Sequence, residues 1–277
     1  MKNYTAMIGI LLIGMTILSS CDTQTATGGF TFANVQTERT AHLFGDTLNP
    51  ACQIQITYSY IDAADDELLK DKVNAIIASS VFDETFPATS TAQQMIDTYA
   101  DRYVDYYLES VSPMYEEDKQ KATDEQPIDA WYNYSYNIQS SVSSYAGDLL
   151  VYQIYTDRYE GGAHGMHQNR FINYDLKNQR ALQLSDLFIE NSYSALTDLL
   201  WSQLAADNNV SSRQALEDIG YGITGDLVPS ENFFIEKDAI TFVYNAYEIA
   251  PYSVGTVYIR LPVAMLRPLL ANNAFIK

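Results

Sequence analysis

The chain has 277 residues, with 16 Lys+Arg against 35 Asp+Glu and a formal net charge of −19. That balance excludes most nucleic-acid binding, which begins with Lys/Arg neutralisation of phosphates. Hydrophobic residues at 47% and charged residues at 18% exclude disorder as the general state, and the length suits one large or two small domains.

Met1-Lys2 precedes an apolar run over 6–18, which suits a signal-peptide core and is too short to span a bilayer. The run ends in Leu18-Ser19-Ser20-Cys21, which is similar to a bacterial lipobox. That resemblance implies cleavage before Cys21 and a lipid on its sulfur. Residues 1–20 are therefore expected as signal peptide and 21–48 as a lipidated tether, flexible over 23–29. The protein would sit extracytoplasmically in the bacterial cell envelope, held to a membrane by that lipid. Cys52 is then alone. It shares an alternating face with Ile54 and Ile56, so a small buried hydrophobe and no disulfide are expected.

Order is expected from near Pro50. Residues 52–61 read as a strand, and Asp65-Asp66-Glu67 opens a helix whose apolar side is Leu69, Val73, Ile76, Ile77 and Ser80. A second helix over 91–109 carries Met95, Ile96, Tyr99, Tyr103, Tyr106 and Tyr107 as its stripe. Residues 115–129 are acidic and polar and contain a proline, which reads as a loop. Period two then takes over: strands at 131–145 and 149–159 around Ala146-Gly147-Asp148, a glycine-rich loop, and a strand at 170–176 with a partner at 180–184. Helices follow at 192–206 and 211–219, a hairpin at 233–236 and 240–244, a strand at 256–261 and a short helix at 263–270. Helices and antiparallel hairpins in blocks predict an α+β fold, divided into parts at 49–160 and 161–277.

Gly220-Tyr221-Gly222-Ile223-Thr224-Gly225 is a literal GxGxxG, but it follows a helical pattern rather than a strand, so no dinucleotide site is expected. His164 and His167 could share a metal with Asp157, Glu160 or Asp175. The competing reading is that three glycines in 161–165 forbid a rigid helix for paired ligands, and that His164 holds the loop by hydrogen bonding. No cofactor is expected. The 22 tyrosines are the compositional oddity: most should be core, while a few exposed ones could stack on sugars or anchor a protein.

Tyr159-Glu160-Gly161-Gly162-Ala163-His164-Gly165, Phe171-Ile172-Asn173-Tyr174-Asp175-Leu176 and Leu182-Gln183-Leu184-Ser185-Asp186-Leu187-Phe188 form one block of motifs. Asn232-Phe233 and Tyr247-Glu248-Ile249-Ala250-Pro251-Tyr252-Ser253-Val254-Gly255 form a second. Together they resemble the extracytoplasmic module shared by the anti-sigma factor RsiV, where it senses and binds lysozyme, and the peptidoglycan deacetylase PdaC. The resemblance is strong over 131–270 and rests on layout alone over 50–130. It implies a non-catalytic lipoprotein that binds a basic wall-acting protein such as lysozyme, or peptidoglycan glycan. Tyr159, Gly161, Gly162, His164, Asp175, Tyr247, Glu248, Pro251, Tyr252 and Gly255 are the candidate binding residues. A metal-dependent envelope hydrolase using His164 and His167, and a purely structural lipoprotein, are the alternatives.

Overall fold

The computed structural model describes residues 29–123, 130–222, 224–272 and 275–276. The leader, Cys21 and nearly all of the expected flexible segment lie outside the described residues.

Six strands form the first sheet in sequence order: β1 (Thr31–His42), β2 (Ala51–Ala63), β3 (Tyr134–Ala146), β4 (Leu149–Glu160), β5 (Met166–Asp175) and β6 (Arg180–Ala181). Only the β2–β3 pair is parallel, because the chain between them leaves the sheet to form α1 (Glu67–Phe82) and α2 (Ala92–Lys121). Both helices cover one face. Ile54, Ile56, Tyr58, Ile138, Tyr152 and Ile154 point into them and meet Val73, Ile77, Phe82, Ile96 and Ala100. Asp66 caps α1 by accepting from Leu69 N, and Thr91 and Gln94 close a reciprocal capping box on α2.

The second layer is a smaller lobe. It contains α3 (Leu184–Leu187), α4 (Tyr193–Asp207), α5 (Arg213–Asp218) and α6 (Val263–Leu266) around an antiparallel sheet of β7 (Phe233–Ile235), β8 (Ala239–Tyr244) and β9 (Val257–Pro262). Its core joins Leu196, Leu200 and Trp201 to Phe233, Phe242 and Ile259. The expected α+β class holds.

Three boundaries move. Order begins well before Pro50, since Thr31–His42 of the expected tether is strand β1. Its helix-facing side gives no apolar rhythm because Thr37 and Arg39 reach α2 through polar bonds: Thr37 Oγ1 donates to Asp97 Oδ1 at 2.7 Å, and Arg39 bridges Asp97 and Asp101 at 3.0 and 2.8 Å. The second helix runs on to Lys121 through Pro113, so 115–121 is helix and not loop. Pro113 lies on the exposed side, while Tyr107, Val111 and Tyr115 continue the buried stripe against Tyr132 and Leu43. Tyr106, placed on that stripe by spacing, is exposed instead. Finally, the division at 160/161 falls inside the β4–β5 hairpin, and the first sheet continues to Ala181.

Cys52 is fully buried, and burial followed by the nearby Glu160 carboxylate pushes its thiol up to about 12. It should resist a thiol reagent at pH 8 in the native protein and react in denaturant; labelling at equal rates in both states would contradict its burial.

Asp97 and Asp186 contribute to the acid sensitivity of the fold. Burial raises Asp97, but hydrogen bonds from Thr37, Gln93 and Arg39 outweigh it and hold its carboxyl below the usual range. Arg180 does the same for Asp186, helped by the backbone N–H of Gln183. A folded pKa below the unfolded one gives stability that is present above about pH 4 and lost as pH falls through the folded value. Denaturant melts should therefore show the midpoint dropping below about pH 4, with a shallower drop in Asp97→Asn.

Candidate functional site

The glycine-rich loop and the Tyr247–Gly255 segment meet at one corner, where His164 contacts Tyr247, 83 residues further along the chain. The β4–β5 hairpin presents the loop. Gly161 has φ +85, and a Cβ there would lie 2.8 Å from the Trp131 carbonyl oxygen, so only glycine fits. Tyr159 closes the loop by donating from its hydroxyl to the Gly162 carbonyl at 3.0 Å.

His164 stands at its tip. Its Nδ1 lies 3.0 Å from the Gly165 carbonyl, which can only accept, so the proton sits on Nδ1. Nε2 is then free to accept from the Tyr247 hydroxyl at 2.9 Å. The imidazole stacks on Tyr252 with centroids 3.8 Å apart, and Tyr247 lies 5.7 Å from Tyr252. His167, on β5, is 6.4 Å from Tyr252 and 3.1 Å through Nδ1 from Asp157. Tyr155 lies beside it, with its hydroxyl 3.4 Å from the same nitrogen. Burial first, then Asp157 and Tyr252, raise the Tyr155 phenol above its ordinary value.

The corner is held from beneath. Tyr247 adopts φ +73, unusual for a residue with a side chain, and its N–H donates to the Ala250 carbonyl at 3.1 Å. Glu248 accepts from Asn245 N at 3.0 Å, and Gly255, at φ +76, closes the turn after Tyr252. The GxGxxG glycines turn out to serve this corner. Gly222 N donates to the Ile249 carbonyl at 2.7 Å, Gly220 faces Pro251, and a Cβ on Gly225 would lie 2.3 Å from the Glu248 carbonyl oxygen. They are contact glycines for the Tyr247–Gly255 segment.

Of the candidate residues, Tyr159, Gly161, Gly162, His164, Tyr247, Glu248, Pro251, Tyr252 and Gly255 come together. Asp175 does not. It lies at the opposite end of β5, buried, with its carboxylate capping the turn through Asn178 N at 2.9 Å and the Asn178 amide. The metal alternative loses two of its carboxylates the same way. Asp175 is remote, and Glu160 faces the helices, where it accepts from Tyr103 at 3.1 Å. Among the described residues no three His, Cys, Asp or Glu side chains are grouped to hold a metal ion. Nor is any described helix long and apolar enough to cross a membrane.

A feature that sequence reasoning missed ties the two lobes together. Asn245 and Asn232 satisfy the outer edge of β5: Asn245 Oδ1 accepts from Asn169 N at 2.7 Å, Asn232 Oδ1 accepts from Phe171 N at 2.9 Å, and Asn232 Nδ2 donates to Asn169 O at 2.7 Å. Asn173, buried, spans to β7 by donating to Phe233 O at 2.7 Å and accepting from Ile235 N at 2.9 Å. Asn173 and Asn232 lie inside quoted motifs, so part of those motifs is a lobe junction.

The family model described as "Protein of unknown function (DUF3298)" matches residues 185–264, most of the second lobe. Over 139 residues the chain is 24% identical to the peptidoglycan-N-acetylmuramic acid deacetylase PdaC of Bacillus subtilis, covering 50% of this chain and 29% of that protein, so it spans under a third of that relative's length. A DUF3298 protein from Pseudomonas aeruginosa PAO1 shares the fold at a TM-score of 0.59 and 18% identity, over 90% of this chain and 97% of the other. A crystal structure of a DUF3298 member from Bacteroides fragilis superposes with a TM-score of 0.85 at 44% identity, covering 89% of this chain and 96% of its own. On that likeness across both lobes, the chain belongs to the DUF3298 family.

Proposed function

We propose that this protein is a non-catalytic binding module of the bacterial cell envelope, lipid-anchored through Cys21, that captures a basic wall-acting protein of the lysozyme kind at the His164–Tyr247–Tyr252 corner. The observation that carries the reading is Tyr247, 45% exposed yet already fixed by its backbone turn and by His164. An exposed aromatic side chain with little freedom left to lose is the kind of residue that anchors a protein interface. Glu248 follows it in the same turn, held by Asn245 N, and the net charge of −19 would draw a basic partner in from a distance. The wall enzyme named among the relatives supports the envelope setting, while its deacetylase activity is not carried over to this chain.

The test is binding of the chain from residue 22 onward to a basic lysozyme at physiological salt, beside an equally basic unrelated protein. Selective binding, lost in Tyr247→Ala, supports the reading. Equal binding to both proteins would reduce it to charge attraction, which salt screens, and no binding to either would overturn it.

A further inference from the structure

The face of the first sheet that α1 and α2 leave uncovered has a chemistry of its own. Register sets Glu38, Gln55, Asn137, Asp157 and His167 side by side in one row, and Gln36, Thr57, Gln139, Tyr155 and Asn169 in the next. All ten are exposed or half-buried. Neither row contains Lys, Arg or an aliphatic side chain, and half of the ten positions are carboxamides. The helix-facing residues between them are Ile54, Ile56, Ile138 and Ile154, so the alternation is strict.

Two depressions indent this face. One, of ≈ 380 Å³, lies among Asn34, Gln139, Gln153 and Tyr155; the other, of ≈ 170 Å³, lies among Glu38, Gln53, Asn137 and Asp157. Asn137 Oδ1, at the second, is buried and meets no donor among the described residues. The second lobe walls the trough on the β5 side, where Phe234 packs on Phe171 at 4.4 Å, and the His167–Tyr252 rings stand at one end.

We infer that this trough binds an uncharged glycan strand, at a surface separate from Tyr247 and independent of whether the corner captures a protein. The exposed carboxamides of Gln36, Gln55 and Gln139 each carry two donors and an acceptor, the complement of hydroxyl and acetamido groups. Tyr155 supplies a flat ring among them for a sugar face. A protein partner would call for aromatic, Met or Arg anchors at the centre of its footprint, and the centre here is Gln, Asn and Thr. A polyanion would meet Glu38 and Asp157 with no cation in either row to offset them. Five strands at roughly 4.8 Å spacing give a width of about 19 Å, enough for several sugar rings in succession.

The chain from residue 22 onward should be titrated by calorimetry with the hexamer of β-1,4-linked N-acetylglucosamine, with cellohexaose, and with an oligogalacturonate as the anionic control. Saturable binding of at least one neutral hexamer and none of the anion is expected. Gln139→Lys and Tyr155→Ala should each weaken binding by about tenfold or more, and Tyr247→Ala should leave it within about twofold. Gln139 is exposed, so its variant should keep the wild-type melt; Tyr155→Ala is read beside its own melt. Three results would overturn the inference: no saturable binding of either neutral hexamer, binding lost in Tyr247→Ala but kept in Gln139→Lys, or a dimer in sedimentation that Gln139→Lys splits, which would make this face a contact between two copies.

Discussion

Asn173→Leu is expected to destabilise the protein by about 2–4 kcal/mol, read as a lower denaturant midpoint. The side chain is 2% exposed and makes two bonds across the lobe junction, so leucine strands Phe233 O and Ile235 N in a buried place without partners. Unsatisfied buried groups carry their full desolvation cost, about 1–3 kcal/mol each, which leucine's added apolar surface offsets only in part. Asn245→Ala is the comparison. Asn245 is half-buried, water can reach its partners, and a loss of about 1 kcal/mol is expected. Equal and small effects in both variants would show that apolar packing of Phe171 on Phe234 holds the lobes together, and that the amides do not.

Gly161→Ala should cost about 2–3 kcal/mol and displace His164 from Tyr247. Two penalties coincide there: a positive φ that alanine resists, and a Cβ 2.8 Å from a backbone oxygen that cannot swing aside. Gly162→Ala separates them. Its φ is +96 but nothing lies within 4 Å of the new Cβ, so only the conformational penalty of about 1 kcal/mol remains. Thermal melts of the two variants would measure the difference. A Gly161→Ala melt no lower than that of Gly162→Ala would mean that Trp131 moves freely and does not fix the loop.

Some of this was legible in the sequence and some was not, for identifiable reasons. The strand at Cys52–Tyr58 and the α1 stripe showed because every second or every third-to-fourth position is apolar and packs against the other. β1 hid because its inward residues Thr37 and Arg39 replace packing by charge-assisted bonds to Asp97 and Asp101, and a polar contact leaves no hydropathy rhythm. The last three turns of α2 hid behind Pro113, although Tyr107, Val111 and Tyr115 keep the four-residue spacing straight through it. At the corner, the two motif blocks come together through His164, Tyr247 and Tyr252, a pairing that their spacing along the chain does not state. Asp175 was misplaced because a shared motif says nothing about which end of a ten-residue strand a side chain occupies. The carboxamide face was visible as Gln53, Gln55 and Thr57, but polar alternation marks only the side turned away from the core, and its use appears when four further strands bring matching rows alongside.

Asn232 and Asn245, set against the edge of β5, also bear on where a second chain could add to the first sheet. A sheet invites another chain wherever an outer strand leaves its N–H and C=O groups unpaired. On β5 the N–H and C=O of Asn169 and the N–H of Phe171 are already taken by Asn232 and Asn245, so that stretch of the border is closed to a foreign strand until the second lobe has come away. The opposite border, β1, is twelve residues long and carries Glu38-Arg39 at its middle, a charged pair that a growing stack would have to desolvate. Aggregation would therefore be gated by release of the second lobe, ahead of any unfolding of the first sheet.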